Sequence, residues 1–444
     1  MNKRKVLLWS VIVALGGFLF GFDTAVISGA EQSIQHFWNL SPLEHGLTVS
    51  IALIGTIIGA LLGSIPSDNL GRKKTLIIIA ITYLVSSIGT ALANDWYVFL
   101  IFRLIGGLGV GASSVTAPVY ISEISPAESR GRLVAMFQFN IVFGILVSYF
   151  SNYLIGQFGG DNSWRLMLGV QAIPSLIFFV LLRFIPESPR WLILKRGKIE
   201  EATKILKIVN PTNFEAEVSS IQKNQQLDID RNITSTLLTK KYKFPIFLAV
   251  SFAIFNQVSG INAIIYYAPR IFEMTGLGRS SSLLSTMGIG VVNFIFTLIA
   301  INFIDKIGRK TLMLIGSFGL IITLGLVSQA FYTKDFTGWN VTIYLLVYIA
   351  FFAFSQGAVI WVFISEIFPN QVRAKGQTLG SATHWIMAAA VAFSFPMFAE
   401  KLGGGHTFLF FCIMMVVQLL FVWKLMPETK GKSLEQIERT LVIH

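Results

Sequence analysis

The sequence predicts an all-α membrane protein: twelve transmembrane helices in two parallel-repeat six-helix bundles, joined by a small cytoplasmic helical linker domain. Three observations predict this class. Of the 444 residues, 54% are hydrophobic and only 13% are charged, whereas soluble domains carry about 25% charged residues. Apolar runs of about 20 residues, long enough to cross a hydrocarbon core of about 30 Å as helices, recur along the whole chain. Short motifs of the first half return in the second half.

The twelve apolar runs follow one another along the chain. The first begins after Lys3-Arg4-Lys5 like a signal peptide, but its apolar stretch is too long and contains Asp23, so we interpret it as a retained helix. Gly55, Gly59 and Gly63, spaced four residues apart, predict close packing of the second helix against a neighbour. The predicted spans, numbered span 1 to span 12, are 7–29, 47–66, 75–94, 97–122, 133–156, 165–185, 245–268, 283–304, 311–331, 341–365, 377–398 and 407–426.

The positions of the basic residues predict the orientation. With both termini in the cytoplasm, 29 of the 35 Lys and Arg residues fall in cytoplasmic segments and five fall outside, while Arg103 lies within span 4. The positive-inside rule therefore predicts that both termini and the 186–244 segment are in the cytoplasm. We expect a multi-pass protein of the cell (inner) membrane. Since topology accounts for the net charge of +12, we expect no nucleic-acid partner. The single cysteine, Cys412, excludes an internal disulfide.

A polar middle segment divides the chain. We predict an N-terminal six-helix bundle in 1–185, a cytoplasmic linker with short helices in 186–244, and a C-terminal six-helix bundle with a short cytoplasmic tail in 245–444. Within the linker, 200–209 is predicted to be an amphipathic helix that Pro211 ends, and 222–236 is predicted to be a flexible polar stretch.

Motifs at the predicted cytoplasmic helix ends occur once in each half. Repeats with an even number of spans share one orientation, so a site is expected near mid-membrane between the halves, with exposure alternating between the two sides. The repeated motifs are Asp68-Asn69-Leu70-Gly71-Arg72-Lys73-Lys74 with Asp305-Lys306-Ile307-Gly308-Arg309-Lys310, the pair Glu123 and Arg130 with Glu366 and Arg373, and Pro186-Glu187-Ser188 with Pro427-Glu428-Thr429.

Motifs along nearly the whole chain resemble the sugar porter family of the major facilitator superfamily. The stretch Pro186-Glu187-Ser188-Pro189-Arg190-Trp191-Leu192 is highly specific for this family, whereas Asp-x-x-Gly-Arg-Lys alone marks the superfamily. The resemblance implies twelve helices and an intracellular helical domain matching 186–244. Further motifs that carry it are Gly21-Phe22-Asp23-Thr24-Ala25-Val26-Ile27-Ser28-Gly29, Arg103-Leu104-Ile105-Gly106-Gly107, Gln257-Val258-Ser259-Gly260-Ile261-Asn262 with Tyr266-Tyr267, and Pro427-Glu428-Thr429-Lys430-Gly431.

The resemblance implies a gate of charged residues on the cytoplasmic side. In the family, such groups bridge the two halves when the site faces outward, and an ion-pair cluster that must break for inward opening is a suitable two-state element. The alternative is that these charges only orient the chain and cap helix ends. The matching residues are Arg72, Glu123, Arg130, Glu187, Arg309, Glu366 and Arg373.

A sparse set of polar and aromatic residues in the spans predicts a sugar site. A hydroxyl-rich ligand needs amide and indole hydrogen-bonding groups together with an aromatic face. The alternative is that these groups only hold helices together. The candidates are Gln138, Asn256, Gln257, Asn262, Tyr266, Asn293, Trp361, His384 and Trp385, of which the resemblance implies Gln138, Gln257, Asn262, Asn293, Trp361 and Trp385 as sugar ligands. Gly260 is expected to weaken the helix between Gln257 and Asn262, as in a discontinuous helix that lines a cavity.

Three positions depart from the family pattern. Asn256 stands where the family usually has glutamine, and His384 stands where Asn or Gln usually precedes the tryptophan of span 11. Ala358 follows Gly357 where members typically have Gly-Pro, which puts a hinge in span 10 in doubt. Ile145 occupies a position where hexose-type members carry an apolar residue, which favours a hexose. For His384, a neutral imidazole that donates to sugar is favoured over a second proton site.

Asp23 and Arg103 are the candidate proton-coupling pair. Asp23 lies seven residues before Ala30, and Arg103 lies seven residues after Trp96. Ala30 and Trp96 flank the predicted outer ends of spans 1 and 4, so at 1.5 Å per residue both charges are about 10 Å deep. Opposite charges at equal depth offset each other's desolvation, so we expect an ion pair. Family members with proton symport carry Asp and Arg at the matching positions, and passive facilitators tend to have Asn at the first. The alternative is a fixed pair that only joins spans 1 and 4.

We therefore predict a secondary active transporter that imports a monosaccharide, a hexose rather than a pentose, with protons by alternating access. A passive facilitator and an inositol-type polyol transporter are the alternatives, and a nutrient sensor is disfavoured because only 18 residues follow Met426. Gly107-Leu108-Gly109-Val110-Gly111 resembles a nucleotide loop, but it lies within an apolar span, so it indicates helix packing. We expect no catalytic residues, metal or cofactor. The expected partners are the sugar, the proton and the lipid bilayer, with the monomer as the functional unit.

Overall fold

The computed structural model of the protein describes residues 3–126, 129–158, 160–231, 237–369, 372–432 and 436–437. Within these ranges, twelve helical stretches are long and apolar enough to cross a membrane, as predicted. The helices of the spans are Lys3–Trp38, Pro42–Leu62, Arg72–Leu92, Trp96–Glu123, Arg130–Phe158, Ser163–Gly169 with Ala172–Leu181, Lys243–Val258 with Ile261–Met274, Arg279–Ile307, Arg309–Thr333, Asn340–Phe354 with Gln356–Glu366, Arg373–Lys401 and Gly403–Leu425.

Shorter helices lie in the connections. Ile199–Val209 confirms the predicted amphipathic helix, and Ser188 caps Pro189–Arg196 by accepting a hydrogen bond from the Trp191 amide. Phe214–Arg231 is helical, so the prediction of a flexible stretch is wrong for 222–231, while 232–236 lie outside the described residues. The remaining elements are the helix Ser64–Leu70 and the 3₁₀ turns Gly160–Asn162, Leu182–Phe184 and Lys240–Tyr242.

Span 1 extends well beyond its predicted end at residue 29. Its helix runs to Trp38 and stops at Asn39, which has a φ of 49°. A left-handed Asn is a common helix terminator. The polar residues from Glu31 onward suggested a loop, but the stretch from Glu31 to Trp38 contains no glycine or proline. The outer end of this span is therefore a helix that carries polar side chains.

Three spans are discontinuous. Span 7 breaks at 259–260, where Gly260 adopts a φ of 88°, as predicted from its sequence. Span 6 breaks at 170–171. Span 10 breaks at Ser355, with φ −116° and ψ −90°, so the missing proline at Ala358 does not abolish the break. A broken helix frees backbone groups, which are tolerated at membrane depth where protein or a cavity surrounds them.

Contacts between Cα atoms group the chain into two units. Unit 1 comprises Met1–Val26, Ile54–Ser148 and Arg165–Thr234, and unit 2 comprises Ile27–Leu53, Tyr149–Trp164 and Ser235–His444. The predicted outer ends of spans 1, 2 and 5 thus group with the C-terminal half of the sequence. The domain boundaries at 185 and 244 stay a prediction.

Glycines allow close helix contacts within each unit. In unit 1, side chains at Gly55 and Gly59 would overlap the span 4 backbone at Leu104 and Leu108, which confirms the predicted close packing of span 2. Many large apolar side chains along the spans are exposed. An exposed apolar surface of this extent suits contact with lipid.

Candidate functional site

Asp23 and Arg103 form an ion pair in unit 1. The Nη1 atom of Arg103 donates a hydrogen bond to Oδ1 of Asp23 at 3.2 Å. Each residue is 2% exposed. The predicted contact between spans 1 and 4 is therefore confirmed, while its role in proton coupling stays a prediction.

The packing around this pair is close. Gly106 lies one helical turn beyond Arg103, and an added Cβ there would be 3.6 Å from Oδ1 of Asp23 and would overlap the Ser86 hydroxyl. A glycine at 106 thus leaves room for spans 1 and 3 beside span 4. Among the described residues, the buried Nε of Arg103 has no hydrogen-bond partner. The guanidinium is held through one nitrogen and therefore has donors left for another partner.

A buried polar cluster in unit 2 centres on Gln257. Its Nε2 donates to Oδ1 of Asn256 at 2.9 Å, and its Oε1 accepts from Nδ2 of Asn262 at 2.7 Å. The same Nε2 lies 3.2 Å from Nδ1 of His384. The break at 259–260 places Asn262 within reach of Gln257, because an unbroken helix would separate residues five apart by more than a turn. Spans 7 and 11 thus share one polar cluster.

Aromatic rings flank this cluster. The His384 ring lies 4.7 Å from the ring of Trp361 and 4.9 Å from the ring of Trp385, both measured between centroids. Trp361 is one of the exposed large side chains of span 10. Amides beside indole rings match the polar edges and the apolar face of a pyranose.

The other predicted ligands occupy separate positions. Tyr266 is buried one turn after Asn262 on span 7, and Asn293 is half-buried on span 8. Gln138 is exposed on span 5 and belongs to unit 1. The structure thus brings together Asn256, Gln257, Asn262, His384, Trp361 and Trp385. The assignment of all nine residues to sugar stays a prediction.

The predicted cytoplasmic end of unit 1 carries one Arg–Glu fork. Nε and Nη2 of Arg72 donate to the two carboxylate oxygens of Glu123 at 3.0 and 3.2 Å, and Nη1 lies 3.0 Å from Oδ1 of Asp68. Glu187 accepts the backbone amides of Lys73 at 3.0 Å and Ser188 at 2.8 Å. Burial nevertheless raises the pKa of the Glu187 carboxyl above its usual value.

Unit 2 repeats this arrangement. Nε and Nη2 of Arg309 donate to Glu366 at 3.2 and 2.7 Å, and Nη1 lies 2.8 Å from Oδ1 of Asp305. Glu428 accepts the backbone amides of Arg309 and Lys310, both at 3.0 Å. Burial would raise the pKa of Glu428, but these and two further backbone hydrogen bonds hold it below its usual value.

The remaining two predicted gate residues make weaker contacts. Arg130 lies 3.5 Å from the carbonyl of Ser125, and Arg373 donates to the carbonyl of Phe368 at 3.3 Å. Both bonds join an arginine to the carbonyl five residues earlier, which is a further sign of the repeat. Each ion pair described lies within one unit, so a gate that bridges the halves stays a prediction.

Sequence reasoning missed two sets of residues. Glu428 could have been predicted from the repeated Pro-Glu-Ser/Thr motif, in which it is the counterpart of Glu187. Glu31, His45 and Arg270 form a buried cluster at the predicted outer end of unit 2. Ending span 1 at residue 29 hid it, because Glu31 and Arg270 were then assigned to external loops.

Comparison with known proteins decides the family. A family model described as "Sugar (and other) transporter" matches residues 9–441. The chain belongs to the sugar porter family. The arabinose-proton symporter of Bacillus subtilis is 38% identical to this sugar porter over 98% of this chain and 94% of its own length. The glucose transport protein of Synechocystis is 37% identical over 98% of this chain and 97% of its own.

A solved structure agrees with this assignment. The inward open conformation of the xylose transporter XylE from Escherichia coli is 37% identical and has a TM-score of 0.86, covering 97% of this chain and 99% of that one. This sugar porter therefore has the major facilitator fold and transports by alternating access. Membership of the family confirms that it is a transporter and not an enzyme.

Proposed function

We propose that this protein imports a monosaccharide together with protons. The observation that carries the proposal is the buried ion pair of Asp23 and Arg103 at 3.2 Å. A carboxylate within a membrane span marks a proton or ion path when it has a defined partner. The names of the relatives support sugar as the substrate and protons as the driving ion, since they include an arabinose-proton symporter and a xylose transporter.

Protonation of Asp23 is the coupling step of this proposal. The carboxylate accepts from Arg103, and both are buried, so neutralising Asp23 leaves the guanidinium without its counter-charge. Leaving one partner of a buried pair uncompensated costs about 3–5 kcal/mol, which favours movement of span 4 relative to span 1. Since both spans meet in unit 1, the step is local to that unit.

The Gln257 cluster supports a sugar site in unit 2. Its amides already bond to one another, so a sugar hydroxyl would replace existing hydrogen bonds instead of meeting unpaired groups. His384 lies against Gln257 through a ring nitrogen, so a neutral imidazole is the form that fits. We propose that Gln138 and Asn293 complete the ligand set and that a hexose is preferred, because Ile145 is apolar and buried.

The orientation and the inner gate belong to the same proposal. The charge distribution supports cytoplasmic termini in the inner membrane, where the Arg72–Glu123 and Arg309–Glu366 forks would face the cytoplasm. We propose that these forks form the cytoplasmic gate with Arg130, Glu187 and Arg373. A protein that works as a monomer suits this scheme, because each proposed element belongs to one chain.

Transport by Asp23→Asn in proteoliposomes tests proton coupling. A membrane potential of 100 mV supplies about 2.3 kcal/mol per proton, which corresponds to about 50-fold sugar accumulation. We expect wild type to accumulate labelled sugar and Asp23→Asn to equilibrate it without accumulation while retaining sugar counterflow. Asp335→Asn, in an exposed outer loop, is the matched control and should behave as wild type.

The outcomes separate the alternatives. Accumulation by Asp23→Asn as high as wild type would rule out the coupling role, and failure of wild type to accumulate any sugar would indicate a facilitator. A panel of hexoses, pentoses and polyols competing for uptake tests the substrate class. If pentoses compete better than hexoses the hexose preference is wrong, and if no sugar competes the site assignment fails.

A further inference from the structure

Three charged or titratable side chains meet at the outer end of unit 2. Nε2 of His45 lies 2.7 Å from Oε2 of Glu31. Arg270 donates from Nε and Nη2 to the two oxygens of Glu31 at 3.1 and 2.9 Å. The cluster joins the outer ends of spans 1 and 2 to span 7, and we call these three residues the outer latch.

The latch is dry on one side and close to water on the other. The side chains of Glu31 and His45 are both fully buried, whereas that of Arg270 is 24% exposed. Arg270 lines a cavity of about 600 Å³ together with Gln32, Gln35, His36 and Glu273. Outside water therefore reaches the latch through Arg270 as soon as spans 1 and 7 separate slightly.

His45 is held through only one of its nitrogens. Because the Glu31 carboxylate can only accept, Nε2 carries the hydrogen of that bond. Nδ1 is buried and has no hydrogen-bond partner among the described residues. The closed latch thus fits a neutral imidazole whose Nδ1 bears a lone pair.

The surrounding charges oppose a proton on Nδ1. Arg270 Nη2 is 3.5 Å from His45 Nε2, so a charged imidazole would gain from Glu31 and lose to Arg270 at similar distances. Tyr267, whose ring centroid lies 5.9 Å from that of His45, contributes no charge, because a phenol ionises only at about pH 10. Glu273 faces Arg270 from the cavity and is half-buried. Because these charges nearly cancel, the main cost of protonating His45 is that the new N–H at Nδ1 would be buried without an acceptor. Opening the cluster to water removes this cost, because water can accept that hydrogen bond.

We propose that the outer latch is a second proton-binding site, separate from Asp23, at which His45 takes up one proton from outside water. The proton adds to Nδ1, and the resulting imidazolium is hydrated once spans 1 and 2 move away from span 7. External acid therefore opens the latch. For an importer that loads protons from outside, this site increases outward exposure when external protons are abundant. Histidine suits the task because it titrates in the physiological range.

Thiol labelling of the full-length protein tests this proposal without sugar and in a background that lacks the Asp23 carboxyl, so it does not depend on the proposed substrate or coupling. The reporter is Ile34→Cys, a fully buried position one turn beyond Glu31, in a Cys412→Ser, Asp23→Asn background that removes the native thiol and the other buried carboxyl. A membrane-impermeant maleimide is added to intact cells at external pH 5.5 to 7.5. Rates are divided by those of Ser41→Cys, an exposed position, to cancel the pH dependence of the chemistry.

We expect the normalised rate to rise at least threefold from pH 7.5 to pH 5.5 when His45 is present. His45→Gln keeps an N–H donor for Glu31 and should give a low rate at every pH. His36→Gln, at an exposed imidazole of the same helix end, should respond as the parent does. Glu31→Gln removes the negative charge that His45 and Arg270 share and replaces one acceptor oxygen by an NH₂ donor, so it should give a high, pH-independent rate.

Each opposite result overturns the proposal. A pH response that persists in His45→Gln would assign it to another group, and a low rate in Glu31→Gln would show that the cluster does not hold the outer ends closed. Loss of the response in His36→Gln would transfer the site to that residue. If the exposed Ser41→Cys is not labelled from outside, the predicted orientation of the spans is wrong. That result is separate from the proposal about His45.

Discussion

At the residue scale, equivalent glutamates of the two repeats have pKa values shifted in opposite directions. Glu428 accepts four backbone amides, from Arg309, Lys310, Thr429 and Lys430. These bonds favour the carboxylate more than burial opposes it, so the pKa of Glu428 lies below its usual value. Burial dominates at Glu187 and raises its pKa. The repeat preserves the residue but not the balance of forces on it.

This difference predicts unequal effects of glutamine. Glu428→Gln should lower the unfolding temperature of the detergent-solubilised protein at pH 7 by about 2 °C, for a loss of about 1 kcal/mol after discounting for solvent screening. A carboxyl whose pKa is lower in the folded state than in the unfolded state stabilises the fold at pH values above the unfolded pKa. That stabilisation disappears as the pH falls through the folded pKa, so the difference between wild type and Glu428→Gln should shrink toward pH 4.

Glu187→Gln is the matched variant. A carboxyl whose pKa is higher in the folded state than in the unfolded state stabilises the fold at pH values below the unfolded pKa. That stabilisation disappears as the pH rises through the folded pKa. The neutral amide should therefore cost less than Glu428→Gln at pH 7. Equal losses in the two variants across pH 4 to 8 would contradict this account.

At the element scale, the break in span 7 depends on Gly260. Its φ of 88° lies in the left-handed region, and an added Cβ would be 2.6 Å from the ring of Phe411, which is buried. The break sets the position of Asn262 relative to Gln257. Backbone conformation and packing at one glycine thus position the side chains of the candidate sugar site.

Gly260→Ala should therefore damage sugar binding more than stability alone explains. A left-handed alanine costs about 1–2 kcal/mol, and the contact with Phe411 adds to it. Gly276→Ala is the control, since Gly276 has a φ of 90° but no atom within 4 Å of an added Cβ. Sugar binding by tryptophan fluorescence should weaken at least tenfold in the first variant and less than twofold in the second. Similar affinities in both would show that the site tolerates displacement of span 7.

At the scale of the whole molecule, contacts within unit 2 join spans 1, 2 and 5 to spans of the C-terminal half at their predicted outer ends. Besides the outer latch, Tyr149 of span 5 donates to the carbonyl of Ile265 at 2.9 Å. Gly46 of span 2 packs directly on the backbone of Phe393 in span 11, where an added Cβ would overlap the carbonyl oxygen. Outward opening must break contacts of this kind, because alternating access requires each side to close in turn.

Gly46→Trp should prevent the closure of spans 2 and 11. We expect at least a tenfold loss of transport in proteoliposomes, with sugar binding retained, because the indole obstructs one half of the cycle and not the Gln257 cluster. Gly278→Trp, at an outer position with no atom within 4 Å of an added Cβ, should transport normally. Undiminished transport by Gly46→Trp would show that the transport cycle does not require the close contact between Gly46 and Phe393.

Most of the fold was predictable from local information. Apolar run length determines which segments can span a bilayer, and helix is the only such structure that satisfies its own backbone. The break at Gly260 was predictable because a single glycine between polar residues weakens a helix. The break at Ser355 was not predictable, because no glycine or proline stands at that residue and its close contact, with Gly316 of span 9, comes from a distant part of the chain.

The sequence by itself determined the class of the protein, the twelve spans, the repeat and the depth at which Asp23 and Arg103 could meet. Only the tertiary structure decided which polar groups share a cluster, namely Gln257 with His384 and Glu31 with His45 and Arg270. The physical reason is that the two kinds of interaction act over different separations along the chain. Hydropathy and helix rise act along the chain, whereas a buried charge is stabilised by partners from distant spans, and their identity depends on how those spans pack.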